Sequence, residues 1–153
     1  MFLLALIKAL GAHRVPYALV GGYAVNLHGI VRGTLDVDLA LRFREKDFVA
    51  AERALESLGL RPRLPVTAAD VFRFREEYIA NRNMTAWSFV NPSNPTQVVD
   101  VILTHDLAKM QVVRKRLRDA TVRIASIDDL IAMKRESGRP QDLVDIEALE
   151  KIR

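Results

Sequence analysis

The spacing of apolar and polar residues changes several times along the chain, and each change marks an element. Residues 2–12 ("FLLALIKALGA") predict an amphipathic helix ending near Gly11. "VPYALVGG" reads as a short buried strand with Pro16 at its start and a glycine pair at its end, and "YAVNLHG" as a short helix closed by Gly29. From Thr34, "TLDVDLAL" alternates polar and apolar residues with strand period. "REKDFVAAERALESLG" predicts a helix stopped by Gly59, followed by a loop, "RPRLP", and a helical stretch from Thr67 to about Ile79. "TAWSFV" and "TQVVDVIL" predict two strands joined by the turn-rich "NPSNP". Thr104 caps a predicted helix, "THDLAKMQVVRKRLRDA", and "TVRIA" is a short strand. Ser126, three residues before Asp129, opens a helix in the manner of a capping box, "GRP" breaks it, and Pro140 suits the first turn of a last helix. Strands and helices without a strict βαβ rhythm predict an α+β domain spanning 1–153, a small mixed β-sheet flanked by helices.

The second predicted strand poses a chemical question. In a strand, side chains at i and i+2 share a face, so Asp36 and Asp38 stand together and Leu35, Val37 and Leu39 point the other way. Paired carboxylates repel unless a cation lies between them. One reading is a divalent-metal site, since hard cations take oxygen ligands and share them with substrate phosphates; the other is a solvated strand face near a turn. Three neighbours bear on the choice. The pair Gly21–Gly22 lets backbone N–H groups approach an anion. Arg32 and Thr34 either contact phosphates or shape a turn. Asp100 lies in an otherwise apolar strand, where an unpaired ionised carboxylate is costly. It therefore sits at a strand end, pairs with a cation or binds metal.

Composition narrows the picture. Half of the 153 residues are hydrophobic and 27% are charged, which suits a globular core. The absence of cysteine excludes a disulfide framework and thiolate metal sites and fits a cytoplasmic location. The apolar start is short and interrupted by Lys8, so it reads as a core helix and not a membrane segment. A formal charge of +4 is a mild basic excess. Arg114, Lys115, Arg116, Arg118 and Arg123 cluster in "RKRLRDATVR", as a surface for RNA or nucleotide phosphates or as a solvated helix face. Phe72, Phe74, Trp87 and Phe89 either stack on a base or, alternating as core residues do, belong to the core. Among the three histidines, His28 is the one expected near the glycine turn, as a functional residue or as a helix-end packing residue.

The order strand, Gly-Gly, short helix, Arg-x-Thr-x-Asp-x-Asp and later Asp in an apolar strand resembles the nucleotidyltransferase superfamily of the DNA polymerase β-type fold. More narrowly it is similar to minimal bacterial members, including toxin-type nucleotidyltransferases of the AbiEii kind. Lys134, Arg139 and Asp142 match that branch's Lys-x4-Arg-x2-Asp segment. The likeness covers about 14–42, 97–104 and 125–149 and leaves 43–96 unsupported. It implies Mg²⁺-dependent transfer of a nucleotidyl group from an NTP to a hydroxyl of RNA (including tRNA), protein or a small molecule. Gly21 and Gly22 would form the phosphate-binding turn, and Asp36, Asp38 and Asp100 would bind two Mg²⁺ ions. Asp100 would help deprotonate the acceptor, Lys134 would approach the triphosphate or acceptor, and Arg32, Thr34 and Arg139 would lie at the nucleotide. A Gly-Ser turn is common in active members, whereas Gly22 stands at the second position here. Two other readings follow from the same likeness: a toxin held by a cognate antitoxin, and a catalytically silent copy that binds nucleotide or a protein partner.

Overall fold

In the computed structural model, which describes residues 1–153, one seven-stranded mixed sheet runs in the order β3-β4-β5-β2-β1-β7-β6. The strands are β1 (Ala18–Val20), β2 (Val37–Ala40), β3 (Arg61–Pro62), β4 (Ala86–Asn91), β5 (Asn94–Ile102), β6 (Val112–Leu117) and β7 (Ala120–Ala125). Seven helices flank them: α1 (Phe2–Ala12), α2 (Gly21–Leu27), α3 (Glu45–Ser57), α4 (Ala68–Arg73), α5 (Arg75–Arg82), α6 (Ile127–Ser137) and α7 (Pro140–Ile152). Parallel pairs join β1 to β7 and β2 to β5; every other neighbour is antiparallel. The expected α+β architecture is the one observed.

Cross-strand register sorts the side chains onto two faces. Leu39 pairs with Leu19 and Val101, Val101 with Trp87, and Leu19 with Ile124, which makes a continuous apolar face. Phe48 of α3 covers it: its ring stacks on Trp87 at 5.9 Å and meets Phe72 of α4 edge-on at 5.7 Å. Helix α1 supplies Leu3, Leu6, Ile7 and Leu10 to the core, as its spacing predicts. The opposite face carries Asp38, paired with Asp100, which pairs in turn with Ser88. That face lies under α6.

Four expectations need correction. The segment 104–120 is not a helix. Asp106 caps a single 3₁₀ turn at Leu107–Lys109, and Val112–Leu117 then runs as strand β6, paired residue for residue with β7. Helix α2 starts at Gly21, not Tyr23, so the glycine pair is its first turn. The stretch 67–79 is two helices broken at Phe74, the second reaching Arg82, and Phe74 is solvent-facing, not core. Strand β2 begins at Val37, which pairs with Val99, because the chain before it leaves the edge of β5; Leu35, expected on the core face, is 73% exposed.

Phe48 is fully buried among Trp87, Phe72 and Phe43. Phe48→Ala is expected to cost about 3–5 kcal/mol of unfolding free energy, and Phe74→Ala well under half of that, as read by urea denaturation. Equal losses at the two positions would contradict this packing.

Candidate functional site

Chain geometry at the end of β1 builds the site. Gly21 has φ +67°, a left-handed conformation that suits glycine, and a Cβ on it would overlap the Asp38 carboxylate. A Cβ on Gly22 would lie 2.5 Å from Thr34 Oγ1 and 3.0 Å from Arg32 Nη1. Both glycines are therefore required by close approach: Gly21 by a carboxylate, Gly22 by the loop that leads into β2.

Asp38 and Asp100 are neighbours on adjacent strands, and Asp36 sits just before β2, exposed. The partner that the strand geometry gives Asp38 is thus Asp100, with Asp36 acting at longer range. Burial pushes the Asp38 carboxyl up, and the charges of Asp100 and Asp36 add to it, bringing it to about 7 despite Lys134 and Arg139 nearby. Asp100 is also raised, chiefly by burial, with the Ser88 hydroxyl, which donates to its Oδ1 at 2.5 Å, working against the shift. No three His, Cys, Asp or Glu side chains stand close enough to hold a metal ion by themselves.

On the other side of Asp38 lies an ionic network of Arg32, Lys134, Arg139, Asp142 and Asp145, in which the buried Arg32 Nε is without a hydrogen-bond partner. Lys134 of α6 is buried and donates to Asp145 Oδ2 at 2.8 Å and to Asp142 Oδ1 at 3.5 Å. Asp145 Oδ2 also forms an ion pair with Arg32 Nη1 at 3.1 Å, and its Oδ1 accepts from Gln141 Nε2 at 3.1 Å. Arg139 Nε donates to Asp142 Oδ2 at 2.9 Å, and the same oxygen caps α7 by accepting the Arg139 backbone N–H at 3.2 Å. Burial raises the Asp142 carboxyl, but the hydrogen bonds from Arg139 and Ser137 outweigh it and bring it down to about 2. Two aspartates on one cavity are therefore driven in opposite directions.

That cavity, about 520 Å³, is lined by Gly21 and Asp38 at one end and by Lys134, Arg139 and Asp142 beside them, and extends along Ile102 and Met133 to His105. Of the residues singled out from sequence, Gly21, Asp38, Lys134 and Arg139 meet at this cavity, with Asp100 adjoining. Gly22, Arg32 and Thr34 form the packed back of the turn, where Arg32 is held by Asp145. His28 is elsewhere: its Nε2 lies 2.8 Å from the Ala125 carbonyl, so it fastens the end of α2 to β7. The histidine at the cavity is His105, 2.8 Å from Thr104 Oγ1 and 2.8 Å from Glu136 Oε2. Sequence reasoning also missed Asp145. Its signal was present: Asp142, Asp145, Ile146 and Leu149 make the buried stripe of α7, and acids inside such a stripe require cations.

Two outcomes follow. The native state binds the Asp38 proton up to about pH 7, whereas the unfolded chain loses it near 3.8. The native state thus holds more protons across that window, and stability falls as pH rises through it. Without divalent cations, Asp38→Asn is expected to raise the melting temperature near pH 8 by a few degrees and to change little near pH 4; an equal effect at both pH values would show that Asp38 carries no such strain. Asp145→Ala strips the buried Lys134 and Arg32 of their shared carboxylate and is expected to cost about 3–5 kcal/mol, measured by urea denaturation at neutral pH.

No protein-family profile matches the sequence, and no curated protein matches it in sequence. Solved structures do match in fold. The lincosamide antibiotic adenylyltransferase LnuA, lincomycin-bound, superposes with a TM-score of 0.64 at 15% identity, over 99% of this chain and 96% of that one. The antibiotic-resistance factor ANT(2'')-Ia matches at 0.64 and 13% identity, over 98% of this chain and 80% of that one. In complex with adenylyl-2''-tobramycin it matches at 0.60 and 16% identity, over 99% and 90%. An antigenic nucleotidyltransferase-like protein from Paracoccidioides brasiliensis matches at 0.59 and 16% identity, over 96% and 73%. The chain has the nucleotidyltransferase fold.

Proposed function

We propose that this protein is a metal-dependent nucleotidyltransferase, moving a nucleotidyl group from an NTP to a hydroxyl acceptor. The observation that carries the reading is the Asp38–Asp100 pair, two adjoining carboxylates with raised pKa held against the Gly21 turn at the mouth of a cavity. Such a pair costs stability and brings no packing in return, so a bound cation is the natural reason for it. Kinship of fold with a protein named as an adenylyltransferase, and with one bound to an adenylylated antibiotic, supports nucleotidyl chemistry at this position.

The donor set fits Mg²⁺. All the available donors are carboxylate oxygens, and Mg²⁺ keeps several waters and takes only one or two carboxylates together with substrate phosphates. The lack of a closed three-residue cage agrees with a site completed by its substrate. Asp38 and Asp100 would hold the ions, with Asp36 turning in from the start of β2. Bound there, Mg²⁺ would supply a Lewis acid for the phosphate and a lowered pKa at the attacking hydroxyl. The chain's own residues account for orientation and charge. Gly21 lets Asp38 and an incoming phosphate approach the same backbone turn. Arg139, on the cavity wall and mostly exposed, would reach a triphosphate by exchanging its side-chain bonds to Asp142 for phosphate oxygens, while its backbone N–H stays bonded to Asp142. Lys134 has two carboxylate partners and so places positive charge near Asp38 from a fixed position.

Calorimetry with a non-hydrolysable analogue of each NTP tests this. Wild type is expected to bind at least one analogue only when Mg²⁺ is present. Asp36→Ala/Asp38→Ala is expected to weaken that binding by more than the roughly 100-fold that follows loss of a residue merely supporting a metal ligand. Labelled NTP then serves to find the acceptor, with Asp100→Ala as the inactive control. Well-folded wild type that binds no analogue with Mg²⁺ would end the enzyme reading and leave the fold assignment standing.

A further inference from the structure

The charge of this molecule is not spread over its surface. The hairpin Val112–Ala125 holds Arg114, Lys115, Arg116, Arg118 and Arg123, five of the 23 basic residues, and only Asp119 of the 19 acidic ones. It therefore carries the whole formal excess of +4, and the rest of the chain has 18 residues of each sign. Asp119 is already engaged, 3.2 Å from Lys8 on α1. None of the five basic side chains forms an ion pair.

Their arrangement is unfavourable for the isolated protein. Arg114 stands directly across from Arg123, and like charges in register destabilise a sheet. Charges on the outermost strand β6 have an ordinary use, since they discourage edge-to-edge aggregation. Arg123, on the interior strand β7, is tied into the fold by its Nε, which donates to the Tyr17 carbonyl at 3.3 Å, so the exposed cations on this face are Arg114 and Arg116.

Register also gives the direction in which the arginines point. Ile124 shares a face with Leu19 and Leu39. Arg123, one residue before Ile124, and its partner Arg114 therefore share the other face, which is the face of Asp38 and Asp100. β7 lies two strands from β2 and β6 three, about 10 and 15 Å at the usual strand spacing. Between them, Ala18, Val20 and Ala40 of this face are buried, so a chain bound at the arginines reaches the carboxylates over the cover of β1 and not along the sheet itself.

We propose that this hairpin face docks the phosphate backbone of single-stranded RNA, the polymer whose hydroxyl would then lie toward the carboxylate pair. The inference rests on the function proposed above for the choice of a hydroxyl-bearing chain, and on the hairpin alone for the docking surface. Arg114, Arg116 and Arg123 share this face while Lys115 points the other way, and arginine's planar fork matches phosphate oxygens two at a time. An acidic protein partner would need apolar anchors at the centre of its contact. No large exposed hydrophobic side chain lies in the hairpin. A flexible single strand lies along the hairpin face, and its 2′- and 3′-hydroxyls suit the chemistry at the far end.

The test is a titration of a fluorescent single-stranded RNA of about a dozen nucleotides, without metal or nucleotide, across a range of salt concentrations. Leaving out both keeps the result independent of the carboxylate site. Wild type is expected to bind at low salt with log affinity falling linearly with log salt. Arg114→Ala/Arg116→Ala, two exposed positions on one strand face, is expected to weaken binding about tenfold or more and to reduce the slope by about 1.4, roughly 0.7 for each phosphate contact removed. Mg²⁺-dependent binding of the NTP analogue should be unchanged in that variant. Arg114→Lys/Arg116→Lys, which keeps charge and hairpin, should keep most of the slope. The proposal is overturned by unchanged affinity and slope in the Ala pair, by a Lys pair that loses as much as the Ala pair, or by duplex DNA or polyglutamate binding as tightly as RNA.

Discussion

The site depends on one buried interaction, the ion pairs that Asp145 makes with Lys134 and Arg32. Asp145 is 1% exposed, and a carboxylate removed from water so completely is tolerable only when its oxygens are saturated with donors. Here Lys134 comes from α6, Arg32 from the loop before β2, and Gln141 from the first turn of α7 itself. Three separate parts of the chain are thereby fixed to one point. Arg32 positions the loop that packs against Gly22, Lys134 positions α6 over the cavity, and the cavity wall opposite Asp38 follows from both. The network sets three cations, Arg32, Lys134 and Arg139, against two carboxylates, Asp142 and Asp145, so it leaves a net positive charge on the wall facing Asp38. Asp38 and Asp100 have no ion-pair partner of this kind.

This division explains why the two ends of the cavity titrate so differently. Asp142 has the Arg139 guanidinium, the Arg139 backbone N–H and Ser137 around it, and these overcome the cost of its burial. Asp38 has burial and two like charges, with Lys134 and Arg139 acting only at a distance because each is already committed to another acid. Oppositely displaced groups in one pocket are a sign of assigned roles. Asp142 is an anion that stays ionised and holds structure together. Asp38 gains its proton near neutral pH, and under the proposed function the same carboxylate that destabilises the empty protein would favour loading of a cation.

Much of this was legible from the sequence, and the failures have physical causes. Alternation from Val37 to Leu39 located Asp38 correctly, and a charged residue inside "QVVDVIL" located Asp100. What alternation could not supply was the second pairing: β2 and β5 are far apart in sequence, and their parallel register sets Asp100 beside Asp38, with the Asp36 charge acting on both. The error over 104–120 came from reading charge density as a helix face. Period 2 was visible there, with Arg114 and Arg116 alternating with Lys115 and Leu117, and β-branched Val112 and Val113 opening the run. Asp106 looked like part of a first helical turn, but its carboxylate accepts from Ala108 N–H and from Phe43 N–H, which ends the turn early. His28 was misjudged for a related reason. Proximity to the glycines along the chain says little about a side chain at the far end of a seven-residue helix, and a free carbonyl on β7 captured it.

The glycine at position 22 shows how the back of a site limits its front. A serine at this place would put a hydroxyl within reach of a phosphate, and its absence looks at first like a lost contact. The packing indicates a different constraint. Thr34 Oγ1 and Arg32 Nη1 occupy the space where any side chain at 22 would begin, at 2.5 and 3.0 Å from the position of a Cβ. Arg32 cannot retreat without leaving Asp145, and Asp145 cannot lose Arg32 without leaving Lys134 as its only cationic partner. Glycine at 22 is therefore a consequence of the buried ion pairs and not an independent choice at the turn. Any gain of a phosphate-binding hydroxyl there would have to come with a smaller residue at 34 and a rearranged tether at 32. With no hydroxyl at 22, phosphate binding at this turn under the proposed function would rest on its backbone and on the arginine at 139.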